Sequence, residues 1–218
     1  MMKIKLYGFW RSLATYRVRV ALKLKDLDYE EVSINLMTGQ QNEEAYRAIN
    51  PQGVVPALVV KENQPPIFQS MAILDYLDQV FPGTSLFPID PLDRARAIGL
   101  AHICTSDAHP LVVPRVRTYL EKNLALSEVQ RQEWLAHWTL QALQSYEKTL
   151  ASNPKSILYS VGNSISVADI CLASQVVAAG FFGVKLDTVP KVKNIFDELI
   201  KLKAFQDSAP LKQSDAPH

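Results

Sequence analysis

The chain has 218 residues, 48% of them hydrophobic, and 23 Lys and Arg against 22 Asp and Glu, for a formal charge of +1. That balance excludes global disorder and gives no overall electrostatic reason to expect nucleic acid or an anionic membrane as partner. No apolar stretch approaches the length of a bilayer span, and the opening Met1-Met2-Lys3-Ile4-Lys5-Leu6-Tyr7 lacks the apolar core of a signal peptide, so a cytoplasmic protein is expected.

Ile4 and Leu6 alternate with lysines in residues 3–8, and Val32, Ile34 and Leu36 alternate with polar residues in 32–36, the period of half-buried strands. Between them, Thr15 to Lys25 has no helix breaker and is dense in Val, Ala and Leu. A short helix is expected over Glu43 to Ile49. Pro56-Ala57-Leu58-Val59-Val60 and Ile67-Phe68 flank the polar turn Lys61-Glu62-Asn63-Gln64 and predict a hairpin. In the helix that follows, Ile73, Leu74, Leu77 and Val80 fall at helical spacing, with Ser70 where an N-cap belongs. The order βαβ then ββα predicts a thioredoxin-like domain over residues 1–82.

Pro and Gly mark 83–89 as a linker, and 90–218 is expected to be all helical, ending in a polar tail. Asp90-Pro91-Leu92-Asp93 and Ser127-Glu128-Val129-Gln130 both open helices, and Pro110 and Pro114 should interrupt the first of them. Ser166-Val167-Ala168-Asp169 is a Ser-x-x-Asp cap, with Ile165 placed to staple onto Ile170. Capping accounts for Asp169 without a catalytic role. Cys104 and Cys171 are too few and too far apart for a disulfide framework or a metal site, and should be buried fillers. No metal is expected.

These features, with the stretch Arg11-Ser12-Leu13-Ala14-Thr15-Tyr16-Arg17-Val18-Arg19-Val20-Ala21-Leu22, resemble the glutathione transferases. The stretch itself is similar to the signature of their zeta class, which includes maleylacetoacetate and maleylpyruvate isomerases. The likeness covers nearly the whole chain. It implies an α/β thioredoxin-like N-terminal domain plus an all-α C-terminal domain, glutathione as cofactor, a small electrophilic substrate, a homodimer and a place in aromatic amino acid catabolism. A non-catalytic carrier or protein-interaction module is the alternative, because fold alone does not fix function.

The resemblance implies Ser12 as the catalytic residue. A hydroxyl before a helix, aided by the helix dipole, stabilises a thiolate, each contact being worth about 1 to 3 kcal/mol. On spacing alone, Ser12 is equally a plain helix cap. Asn50-Pro51-Gln52-Gly53-Val54-Val55-Pro56 matches the segment carrying a cis proline. A cis Pro56 would turn the N–H and C=O of Val55 outward to pair with glutathione as an extended peptide. Gln69 and Ser70 match the element that holds the γ-glutamyl end, although Ser70 also reads as a simple N-cap. Gln41 is aligned near the glycyl end, and His109 matches as a further glutathione contact.

For the second substrate, Arg11 and Arg115 match arginines of bacterial relatives, fit to bind carboxylates. An arginine such as Arg115 is otherwise a surface residue. Leu13 and Ala14 replace the usual Ser and Cys, Val112 and Val113 replace amide residues, and Phe181 stands where an arginine is common. Val112 and Phe181 thus imply a more apolar pocket, giving conjugation a place beside isomerisation.

Overall fold

The computed structural model describes residues 4–61 and 63–217. Met1, Met2 and Lys3 from the opening, Glu62 from the expected hairpin turn, and His218 lie outside the described residues. The chain divides into two compact units: one reaches to Leu86 and takes in the chain from Leu202 onward, and the other is Phe87–Lys201.

In the first unit, β1 (Ile4–Gly8), α1 (Leu13–Leu24), β2 (Tyr29–Ser33), α2 (Glu44–Arg47), β3 (Ala57–Val59), β4 (Ile67–Phe68) and α3 (Ser70–Val80) follow one another. The sheet has four strands in the order β2-β1-β3-β4. β1 runs parallel to β2 and antiparallel to β3, and β3 runs antiparallel to β4. This is the thioredoxin-like arrangement expected from βαβ followed by ββα.

β2 lies earlier than residues 32–36, pairing Ile4 with Tyr29 through Gly8 with Ser33. Ile34 extends the ladder by one bond, its N–H donating to Gly8 O at 2.7 Å. Its side chain is buried beyond the strand end, in a cluster with Phe9, Tyr46 and Val55. The apolar alternation therefore outruns the strand, because a loop cluster rather than the sheet buries its last members.

α1 is buried along most of its length, from Leu13 to Leu22. It carries Arg17 and Arg19 in its buried part, at 1% and 0% exposure. In α3, Ile73, Leu74 and Leu77 are fully buried, whereas Val80 at 49% exposure lies off that face. After the linker, α10 (Lys203–Ser208) returns to pack on α1. The expected assignment of all of 90–218 to the helical half is therefore corrected: the described residues from Leu202 onward belong to the sheet-containing unit, with α10 packed on α1.

The second unit contains α4 (Pro91–His102), a π-helical turn (Ile103–Ala108), α5 (His109–Val112), α6 (Pro114–Lys122), α7 (Glu128–Ser152), α8 (Val167–Phe181) and α9 (Pro190–Leu199). Asp90 caps α4 by accepting from Leu92 N and Asp93 N at 3.1 and 2.9 Å. The wider π turn leads into His109 and Pro110, whose missing N–H could not continue an ordinary ladder. At Val113 the chain turns extended before Pro114 opens α6. The Ser127/Gln130 capping box forms at the start of α7, with Ser127 N donating to Gln130 Oε1 and Gln130 N to Ser127 Oγ.

Asp169 is fully buried. Its Oδ1 accepts from Ser160 N at 2.8 Å, and its Oδ2 accepts from Ser166 N and Oγ at 2.8 and 2.9 Å. The carboxylate ties the loop before α8 to the helix start, which supports the structural reading. Cys104 and Cys171 are both buried, and neither is in a disulfide.

Candidate active site

The register of the sheet collects four segments at one end. Tyr7 pairs with Ala57 and Ala57 with Phe68, while Gly8 pairs with Ser33. The chain leaving β1 toward Ser12, the chain leaving β2 toward Gln41, the chain entering β3 through Val55 and Pro56, and the chain leaving β4 at Gln69 and Ser70 all emerge there.

Ser12 closes a turn with Phe9, its N–H donating to Phe9 O at 3.0 Å. It then caps α1, with Oγ accepting from Thr15 N at 3.2 Å. Among the described residues no acceptor takes the Ser12 hydroxyl proton, so this side chain satisfies the helix and keeps a donor for something else. Gly8 makes this geometry possible. A Cβ there would lie 2.5 Å from Thr15 Cγ2 and 2.6 Å from Glu31 Oε1.

The Val55-Pro56 peptide is cis. The segment before it is pinned by two donors on Val54 O, from the Tyr46 hydroxyl and from Asn50 Nδ2, each at 2.7 Å. Burial pushes the Tyr46 phenol up to about 12, so it remains a protonated donor at neutral pH. Among the described residues neither the N–H nor the C=O of Val55 has a partner, which leaves both for an added extended strand. Gln41 sits in a short 3₁₀ turn, and its Oε1 is buried without a partner. Its backbone O lies 3.0 Å from where a Cβ on Gly53 would stand, and Gly53 has φ +63°. The Gln41 turn and the Val55 loop are therefore adjacent, and glycine is required between them.

The expectation that Ser70 caps α3 is corrected. Gln69 holds the cap position with φ 73° and ψ 117°, and Ser70 is the first helical residue. Such a backbone is uncommon for a residue with a Cβ and costs on the order of 1–3 kcal/mol, a kind of strain that gathers at ligand clamps. Gln69 is exposed and donates from Nε2 to Gln52 Oε1 at 2.9 Å. Ser70 is buried at 5% exposure and accepts at Oγ from Arg17 Nη1 at 3.2 Å. A guanidinium thus stands behind a helix N-terminus, where both favour an anion.

Residues 2–79 match the family described as the glutathione S-transferase N-terminal domain. The maleylacetoacetate isomerase of Pseudomonas aeruginosa is 38% identical over 216 residues, covering 98% of this chain and 99% of that protein. The maleylacetoacetate isomerase of Methylobacterium extorquens AM1, solved with bound malonate and glutathione, superposes with a TM-score of 0.95. It is 42% identical, covering 98% of this chain and 100% of that one. A maleyl pyruvate isomerase described as a zeta-class bacterial glutathione S-transferase superposes at 0.94 with 35% identity, covering 98% and 100%. The chain belongs to the glutathione S-transferase family. Within the family it groups with the zeta-class isomerases, and it is an enzyme.

The remaining transferase residues anticipated from sequence divide between the units. Arg11 follows Trp10 in the β1–α1 turn and is half-buried. His109 opens α5 and is half-buried, Val112 ends α5 with 3% exposure, Arg115 is exposed on α6, and half-buried Phe181 ends α8. Two concavities of the helical unit, about 590 and 360 Å³, contain none of these residues. Charged side chains missed in the sequence support the site from behind: Arg17, the Arg19 pair with Glu31, and Asp215. For the two arginines the signal was visible, as positive charges on a helix otherwise fit only for burial. For Asp215 there was none.

Proposed function

We propose that this transferase binds glutathione across the sheet end described above and isomerises a small cis-unsaturated acid of the maleyl type. The observation that carries the reading is Ser12, a cap whose hydroxyl proton is unused, placed at the same sheet end as the unpaired backbone of Val55. The residues fit the tripeptide. Val55 N–H and C=O suit its central peptide, Ser70 with the start of α3 and Arg17 behind it suits the γ-glutamyl carboxylate, and Gln69 suits the amino group through its amide oxygen. Pro56 shapes that strand, and Gln41 is assigned to the glycyl end and His109 to a further contact.

Bound glutathione supplies a thiolate that adds reversibly to a conjugated double bond, which permits rotation before elimination to the trans acid. Ser12 donates its proton to hold the sulfur as an anion, and the N-terminus of α1 adds its dipole. Arg11 and Arg115 are assigned to substrate carboxylates, Val112 and Phe181 to the apolar wall. The relative solved with malonate and glutathione supports a carboxylate-bearing substrate. A second reading, conjugation of an apolar electrophile, is favoured by Phe181 and uses the same thiolate. The likeness to the zeta class also supports a cytoplasmic homodimer, which sedimentation of the purified protein tests.

The experiment compares Ser12→Ala with the parent on maleylacetoacetate and on an aryl halide. Loss of a hydrogen bond to a charged group predicts a fall in turnover of about 10- to 100-fold on both. Unchanged turnover on both removes Ser12 from this role. Faster turnover of the aryl halide than of the diketo acid favours the second reading.

A further inference from the structure

The turn that delivers Ser12 is held at its second residue from two sides. Trp10 N donates to Asp215 Oδ2 at 3.1 Å, a contact spanning 205 positions of sequence. The same oxygen accepts from Ser33 Oγ at 2.6 Å, which fixes the carboxylate over the ends of β1 and β2. Trp10 O accepts from Arg19 Nη1 at 3.3 Å. Arg19 is fully buried, and its orientation is set by Glu31: Nε lies 2.9 and 3.0 Å from the two carboxylate oxygens, and Nη2 also pairs with Oε1.

The two peptide planes flanking Trp10 are therefore each gripped by a charged side chain, while the turn is closed by Ser12 N to Phe9 O at 3.0 Å. Charge-assisted bonds of this kind are about twice as strong as neutral ones. With the first two of its three peptides held and the Ser12 N to Phe9 O bond closing it, this four-residue turn leaves its last residue, Ser12, little freedom.

We infer that Asp215 is a positioning residue for Ser12: the C-terminal segment clamps the Trp10 peptide, with Arg19 opposing it, so that the Ser12 hydroxyl faces the glutathione sulfur. The inference rests on the proposed role of Ser12 and adds that the last residues of the chain belong to the active site. α10 packs on α1 and buries Phe205 to 1% exposure, so the clamp continues from an element packed on the helix that Ser12 caps.

The test uses the full chain and the variants Asp215→Ala, Asp215→Asn and Asp215→Glu, with glutathione as the probe. The ultraviolet absorbance of bound thiolate, kcat, the KM for glutathione and amide exchange at Trp10 are read for each. In Asp215→Ala the thiolate fraction and kcat fall by about 3- to 10-fold, the equivalent of one hydrogen bond. KM changes less than about twofold, because the contacts at Val55 and Ser70 are intact. Asp215→Asn, which keeps an acceptor oxygen, restores most of the loss.

Parental thiolate fraction and kcat in a folded Asp215→Ala overturn the clamp, as does an Asn variant no better than Ala. Should the Ala variant fail to fold, Asp215→Glu moves the oxygens outward by one methylene while keeping the charge. It is expected to show the same loss, and parental values in it overturn the clamp. If the parent itself binds no glutathione, the proposed function fails; the clamp is then judged on the unliganded protein, where Asp215→Ala must exchange its Trp10 amide faster than the parent.

Discussion

At the residue scale, the candidate site is made of groups that each do something local and keep something over. Ser12 accepts from Thr15 N and retains its proton. Ser70 accepts from Arg17 at the start of α3, where Gln69 makes no side-chain cap bond. Val54 O absorbs the Tyr46 and Asn50 donors, so Val55 beside it is left with both backbone groups available. Tyr46 is the residue on which this arrangement can be tested without touching a ligand contact. Tyr46→Phe removes one of the two bonds to Val54 O, with an expected cost of about 0.5–1.5 kcal/mol in stability. Glutathione affinity by calorimetry should weaken, while turnover at saturation stays near the parental value. The motif around Ser12 was legible because a cap needs a fixed residue type at a fixed offset. Gln69 was not recognised as the cap, since a positive φ on glutamine is imposed by the chain entering α3 and has no signature in composition.

At the element scale, helix starts were the most legible features. Asp90, Ser127 and the Ser166/Asp169 pair all act at the ends of α4, α7 and α8, because capping is decided within four residues. The strands were less so, β2 being displaced by the burial of Ile34 in a loop cluster. Asp169 yields a stability prediction. Asp169→Ala strands the buried donors of Ser160 and Ser166 and is expected to cost about 2–5 kcal/mol in a urea titration. Burial raises the Asp169 carboxyl above its usual value, with the bonds from Ser160 and Ser166 pulling it down. Above the unfolded value of about 4, the unfolded chain has released this proton while the folded chain still holds it. Its contribution to stability is therefore full below that pH and lost as pH rises through the folded value. Asp169→Asn should remove that slope from the urea midpoints.

At the scale of the whole molecule, the chain forms two units with a boundary between Leu86 and Phe87, within the 83–89 segment marked by Pro and Gly. Ligand linkage tests the assignment of glutathione to the first. At about 100 times its dissociation constant, glutathione should add about 2.7 kcal/mol to stability, visible as a raised midpoint in thermal unfolding. No protection at millimolar concentration would contradict it. The sequence alone determined the kinds of element, their order, the capped helix starts and the family motif centred on Ser12, because each is written in residues a few positions apart. Only the tertiary structure decided that α10 returns to α1, that Arg17 stands behind Ser70, and that Asp215 holds the Trp10 peptide. Those contacts join residues 53 and 205 positions apart, and a hydrogen bond across such a separation depends on how elements pack, which no local pattern of polarity or spacing encodes.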